Sequence, residues 1–144
     1  MHELKIIRER REGYGPPQRY HSAADVYHAF RERFEKLDRE EFLVLLLDAK
    51  NTMLDFNVVS VGSLTASIVH PREVFKPALL ANAASIILMH NHPSGDIYPS
   101  QEDLTITKRL RETGEVMGIR VLDHIIFGEN KYLSFVDDGY WGAT

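Results

Sequence analysis

The chain has 144 residues, 44% of them hydrophobic and 26% charged, with a formal net charge of −4 and no cysteine. These values describe one ordinary globular domain with enough chain to bury a core. The lack of cysteine excludes disulfides, thiolate metal sites and cysteine nucleophiles, so any metal must be held by His, Asp, Glu or water. The N-terminal segment MHELKIIRERREGYGPP is charged without an apolar run and does not read as a secretory leader. No stretch approaches the roughly 20 apolar residues that cross a bilayer. A cytoplasmic location with no membrane partner is therefore the expectation. The acidic balance also speaks against a domain that lives on nucleic acid, which usually carries a basic excess. The local basic group Arg8, Arg10 and Arg11 reads as a solvated tail.

Residues 1–21 hold Gly13, Gly15, Pro16 and Pro17 and predict an arm or short strand followed by a turn. Ser22 can cap a helix running to about Leu37. Asp25 follows three residues later, as in a capping box, and Val26, Phe30, Phe34 and Leu37 share one apolar face. Phe42 to Leu47 is apolar on both faces and predicts a central buried strand. Asn57 to Val61 and Leu64 to Val69 predict two more strands, turning at Gly62-Ser63. Pro71 can open a second helix from Arg72 to about Asn82, although Pro77 inside it opposes helix.

Ser85 to Met89 predicts another buried strand. It runs into His90-Asn91-His92-Pro93-Ser94-Gly95-Asp96, where Pro and Gly enforce a loop. Ser100 begins a third helix with Leu104, Thr107, Leu110 and Val116 inward and Gly114 and Gly118 marking its end. Val121 to Phe127 and Tyr132 to Phe135 predict a hairpin across Gly128 to Lys131. The tail after Asp137 is expected to be loose. The result is a domain over 22–137 between an arm (1–21) and a tail (138–144). Its class is α/β with a mixed sheet flanked by helices, or α+β if the strands are mostly antiparallel.

Ionisable residues gather where a buried strand ends. His90 and His92 are two apart, and on extended backbone both imidazoles then point to one face. Asp103 lies on the first turn of the following helix. Two neutral imidazoles and one carboxylate leave zinc a fourth position for water, the pattern of a catalytic site. The same Ser100 and Asp103 also make an S-x-x-D capping pattern, and the two readings are compatible. His-Asn-His does not indicate a homing-type nuclease, whose named residues are scattered over a ββα unit. Zinc deaminases require a Pro-Cys-x-x-Cys, and the helical His-Glu-x-x-His of many metalloproteases is missing.

His90-x-His92, seven residues, Ser100, two residues and Asp103 together resemble the JAMM motif of JAB/MPN metalloproteases. The fuller strings HNHPSGDIYPSQED, HPREVFKPALLANAA and GIRVLDHIIFG resemble the bacterial RadC subgroup, over roughly residues 37 to 136. The resemblance implies a cytidine-deaminase-like JAB/MPN fold. It implies a Zn²⁺ held by His90, His92 and Asp103, with Ser100 steadying the tetrahedral intermediate. A glutamate before the run FLVLLLD would be the general acid/base. Neighbours on a strand point opposite ways, so only one can serve: Glu40, two places before the Phe as in RadC proteins, is preferred, and Glu41, placed as in other JAMM proteases, is the alternative. A peptide or isopeptide substrate follows, and the competing reading is a non-catalytic zinc-binding adaptor in DNA repair or mobile-element biology. A metal-dependent nuclease is disfavoured by the acidic charge. RadC proteins carry an N-terminal helix-hairpin-helix module, for which the 36 or so residues before the resemblance leave no room. This implies a shortened form or a naturally short member and makes direct DNA binding doubtful. His124 reads as a core or sheet-edge histidine with a support role behind the metal as the alternative, and His70 as a residue that begins a helix.

Overall fold

The computed structural model describes residues 1–5, 18–62 and 69–143. The basic group Arg8, Arg10 and Arg11 and the body of the expected strand Leu64 to Val69 lie outside these residues. Among the described residues the helices are α1 (Ala23–Glu35), α2 (Pro71–Leu80) and α3 (Gln101–Met117), and the strands β1 (Glu41–Leu47), β2 (Met53–Val61), β3 (Ser85–Asn91), β4 (Arg120–Phe127) and β5 (Tyr132–Ser134). The strands form one sheet in the order β2-β1-β3-β4-β5. Only β3 and β4 run parallel within it, joined through α3, and the other pairings are antiparallel. The fold is thus a mixed α/β domain whose sheet is mostly antiparallel, the α+β-like form of the expected class. No described helix is long and apolar enough to cross a membrane.

β1 and β3 are buried at every position because helices cover both faces of the sheet. Odd residues of β1 (Leu43, Leu45, Leu47) pack with Val26, Phe30 and Phe34 of α1. Even residues (Phe42, Val44, Leu46) pack with Val74 and Phe75 of α2 and Ile106 and Leu110 of α3. The pleat thereby assigns each side chain to a layer, and the layer holding α3 is the one that matters for the site.

Several boundaries differ from expectation. β2 begins at Met53, not Asn57, because pairing with β1 recruits Met53 to Phe56, whose own pattern is neither alternating nor fully buried. α2 continues through Pro77. Burial of Val74, Phe75 and Ala78 against the core offsets the roughly 3 kcal/mol that an internal proline costs. α2 stops at Ala81, and Asn82 takes a left-handed φ of 55°. β3 extends past Met89 to include His90 and Asn91. The tail is not loose. Tyr140 and Trp141 pack against Ile126, Leu133 and Phe135, and their N–H groups both donate to the Phe135 carbonyl at 2.9 Å. Arg111 clamps the tail by donating to the Trp141 carbonyl at 2.7 Å, with its guanidinium 4.0 Å from the indole centroid. At the other end, the residues around Arg19 bridge to Thr52, and Tyr20 is buried under α1.

Candidate metal centre

The register Phe42↔His90 places His90 on the α3 side of the sheet, level with the first residues of β1. His90 is fully buried, stacked on the Phe42 ring with centroids 6.0 Å apart. His92 follows β3, and its backbone N–H donates to the Phe127 carbonyl at 3.0 Å, which carries the chain one step beyond the ladder. Ser100 caps α3. Its hydroxyl accepts from the Asp103 N–H at 3.1 Å, and its own N–H donates to Asp103 Oδ2 at 2.8 Å. That reciprocal box turns the buried Asp103 carboxylate toward the two imidazoles. The cap and the carboxylate's approach to the two imidazoles coexist.

His90, His92 and Asp103 each offer a ligand atom within 4.8 Å of the others, so the group can hold a metal ion. His90 Nε2 and His92 Nε2 are 2.9 Å apart, and each lies 3.3 Å from an Asp103 oxygen. Bonds of about 2.0–2.1 Å to a tetrahedral metal place neighbouring ligand atoms about 3.3 Å apart. The two imidazole–carboxylate spacings of 3.3 Å, one to each Asp103 oxygen, match that figure, and the imidazole–imidazole spacing of 2.9 Å is shorter. His92 Nδ1 is 2.7 Å from the Asp96 carbonyl. A carbonyl only accepts, so Nδ1 carries the hydrogen and the neutral ring turns a bare Nε2 to its partners. Gly128 lets the supporting loop approach, since a Cβ there would meet Ile97 Cγ2 at 2.5 Å and the Gly95 carbonyl at 2.7 Å.

The electrostatics express the same demand for a cation. Burial would lower the His92 pKa, but hydrogen bonding and charge from Asp103, the Asp96 carbonyl and the Glu40 charge raise it. Burial would raise the Asp103 carboxyl, yet the two imidazoles and the Ser100 N–H hold it well below the usual carboxylate range.

The two glutamates have different surroundings. Glu41 lies 3.6 Å from Arg33 of α1, on the side away from His90. Glu40 has the parity of Phe42, is half-buried, and its charge acts on His92. His70 occupies the N-cap position of α2 without a side-chain cap bond. His124 is fully buried, and its Nε2 lies 2.7 Å from His90 Nδ1. It is both a core histidine and a direct neighbour of His90, where the sequence favours the first reading and keeps the second as its alternative. Asn91 is a contributor that the motif does not mark. Its side chain accepts from the Glu41 N–H at 2.8 Å and donates to the Arg39 carbonyl at 3.0 Å. A groove of about 340 Å³ opens beside His92, between Phe34 and Leu37 on one wall and Phe127 and Glu129 on the other.

Comparison with known proteins agrees with this geometry. A family model described as a RadC-like JAB domain matches residues 20–140. A UPF0758 protein of Syntrophotalea carbinolica is 51% identical over 142 residues, which cover 95% of this chain and 63% of that protein. UPF0758 proteins of Pelobacter propionicus and Geobacter sulfurreducens are 57% and 54% identical over 121 and 122 residues, covering 84% and 85% of this chain and 53% of each relative. The chain thus spans between half and two thirds of the length of these relatives. With a family model covering residues 20–140, the chain belongs to the family of RadC-like JAB domains.

Proposed function

We propose that this domain is a zinc-dependent hydrolase acting in the cytoplasm on an amide bond of a peptide or protein. The observation that carries the reading is the convergence of His90 Nε2, His92 Nε2 and the Asp103 carboxylate at spacings of 2.9 and 3.3 Å. These three residues would hold the metal. Bound there, zinc supplies a Lewis acid and a water whose pKa falls from about 15.7 toward 7. Glu40, whose charge acts on His92, would accept a proton from the attacking water and return it to the leaving nitrogen. The Ser100 hydroxyl already accepts from the Asp103 N–H, which leaves its own hydrogen to donate to the developing oxyanion. Glu41, committed to Arg33 across the sheet, takes no part. The groove beside His92 receives the chain flanking the scissile bond. Direct binding of nucleic acid is no part of the proposal.

The test is metal content measured together with hydrolysis. Untagged wild type should carry about one zinc per chain by elemental analysis, and His92→Ala and Asp103→Ala should lose it. Against a panel of peptide and isopeptide substrates, Glu40→Gln should keep zinc and lose at least about 100-fold in rate, with Glu41→Gln close to wild type. Wild type that cannot be loaded with zinc would overturn the metal reading. A Glu40→Gln variant with full rate would overturn the assignment of the acid/base.

A further inference from the structure

Behind His90 lies a second layer of polar groups inside the core. His124 on β4 stacks on Phe135 with centroids 4.6 Å apart and meets Phe42 edge-on at 5.7 Å, so its ring has no freedom to turn. Its Nε2 is 2.7 Å from His90 Nδ1, and its Nδ1 is 2.6 Å from Thr107 Oγ1. The Thr107 hydroxyl is also 2.7 Å from the backbone carbonyl of Asp103, one turn earlier on α3. With both imidazoles neutral, these contacts fix every hydrogen along the relay. The carbonyl only accepts, so the single hydroxyl hydrogen goes to it. Toward His124 the Thr107 oxygen must then accept, which places a hydrogen on His124 Nδ1. A neutral His124 has a bare Nε2, which accepts from His90 Nδ1. The remaining nitrogen of His90, the Nε2 facing His92 and Asp103, is therefore left unprotonated.

We propose that Thr107 and His124 are positioning residues that lock His90 in its Nδ1–H tautomer, the form whose Nε2 can bind a metal. The proposal rests on the metal-centre reading. The circuit begins at the carbonyl of one ligand, Asp103, and ends at the ring of another, His90. The start of α3 therefore sets both the place of the carboxylate and the protonation of the imidazole. Removing the hydroxyl frees the His124 ring to take its other tautomer. His124 would then donate to His90 Nδ1 and move the His90 hydrogen onto Nε2, where it obstructs the metal.

The experiment compares wild type with the near-isosteric Thr107→Val and with Thr107→Ser, which restores a hydroxyl. Long-range proton–nitrogen NMR on chelated protein reads the imidazole tautomers, and competition with a chromophoric chelator reads zinc affinity. Wild type should show His90 and His124 both protonated on Nδ1. Thr107→Val should shift His90 toward the Nε2–H form and bind zinc about 10- to 100-fold more weakly, with Thr107→Ser within about three-fold of wild type. The opposite tautomers in wild type would overturn the lock whether or not any variant folds. So would a folded Thr107→Val protein with unchanged spectra and affinity, and in that case the metal site itself would stand. Wild type without zinc affinity would remove the metal reading, while its NMR pattern would still decide the tautomers.

Discussion

Asn91 sits between the two histidines in sequence, yet its bonds go to Glu41 of β1 and to Arg39 just before that strand. Oδ1 accepts from the Glu41 N–H at 2.8 Å and Nδ2 donates to the Arg39 carbonyl at 3.0 Å, so one amide holds the backbone on both sides of Glu40. Asn91→Ala removes both bonds. The Arg39 carbonyl belongs to an exposed residue and can turn to water, but Glu41 and Asn91 are buried, at 9% and 4% exposure. A buried N–H left without a partner costs about 1–3 kcal/mol. At roughly 4 °C per kcal/mol for a chain of this length, the melting temperature should fall by roughly 4–12 °C. The imidazoles depend on β3 and the Asp96 carbonyl, so zinc content should hold. Glu40 would lose its fixed place, and misplacement by about 1 Å can cost about 100-fold in rate. Thermal melting, elemental analysis and hydrolysis on one preparation separate these effects. A variant that melts with wild type would refute the clamp. One that melts lower but hydrolyses at full rate would show that Glu40 is held by other contacts.

Stability should depend on pH in opposite senses with and without metal. In metal-free protein the His92 pKa, lowered by burial but raised by Asp103, the Asp96 carbonyl and Glu40 together, lies above its ordinary value. The resulting stability is fully present below the unfolded imidazole value of about 6.5 and is lost as pH rises through the folded value. The depressed Asp103 contributes above about 3.9 and loses its contribution as pH falls through its folded value. Zinc needs unprotonated imidazoles, so its binding strengthens as pH rises. Melting curves from pH 5 to 8 should therefore show a zinc-dependent increment that widens with pH, and a constant increment would contradict this. At Gly128 the test is steric. Gly128→Ala forces its Cβ against Ile97 and the Gly95 carbonyl, displacing the segment that carries the Asp96 carbonyl. We expect a loss of about 1–3 kcal/mol from overpacking and about ten-fold weaker zinc binding. Gly142→Ala, with nothing within 4 Å of its Cβ, should match wild type in both denaturant melts and zinc titration.

The elements most legible in the sequence are those whose signal is local. The double-faced apolar runs of β1 and β3 and the caps at Ser22 and Ser100 fall where pattern alone puts them. What pattern missed depends on distant partners. Met53 to Phe56 becomes strand through β1, and α2 survives Pro77 through the core beneath it. Tyr140 and Trp141 dock because Arg111 and the Phe135 carbonyl wait for them. Adjacent aromatics in a polar tail were an available signal, since large rings left in water forgo substantial burial.

The candidate site divides along the same line. His90, His92 and Asp103 are close in sequence, so strand parity and a helix start bring them together whatever the rest of the sheet does. The choice between Glu40 and Glu41 is different in kind. Parity says that only one can face the histidines, and the register Phe42↔His90, with Glu41 beside Arg33, sets Glu41 on the other face, which no local pattern contains. Thr107 and His124 are further removed, on separate elements and 17 residues apart. In sequence, Thr107 is an inward residue of an amphipathic helix and His124 an ordinary strand histidine. Their meaning arises only when α3 crosses between β3 and β4 and sets a hydroxyl against a ring nitrogen. A relative that kept the three ligand residues but had Val at the position of Thr107 would therefore keep the motif and lose the proton arrangement that lets His90 use it.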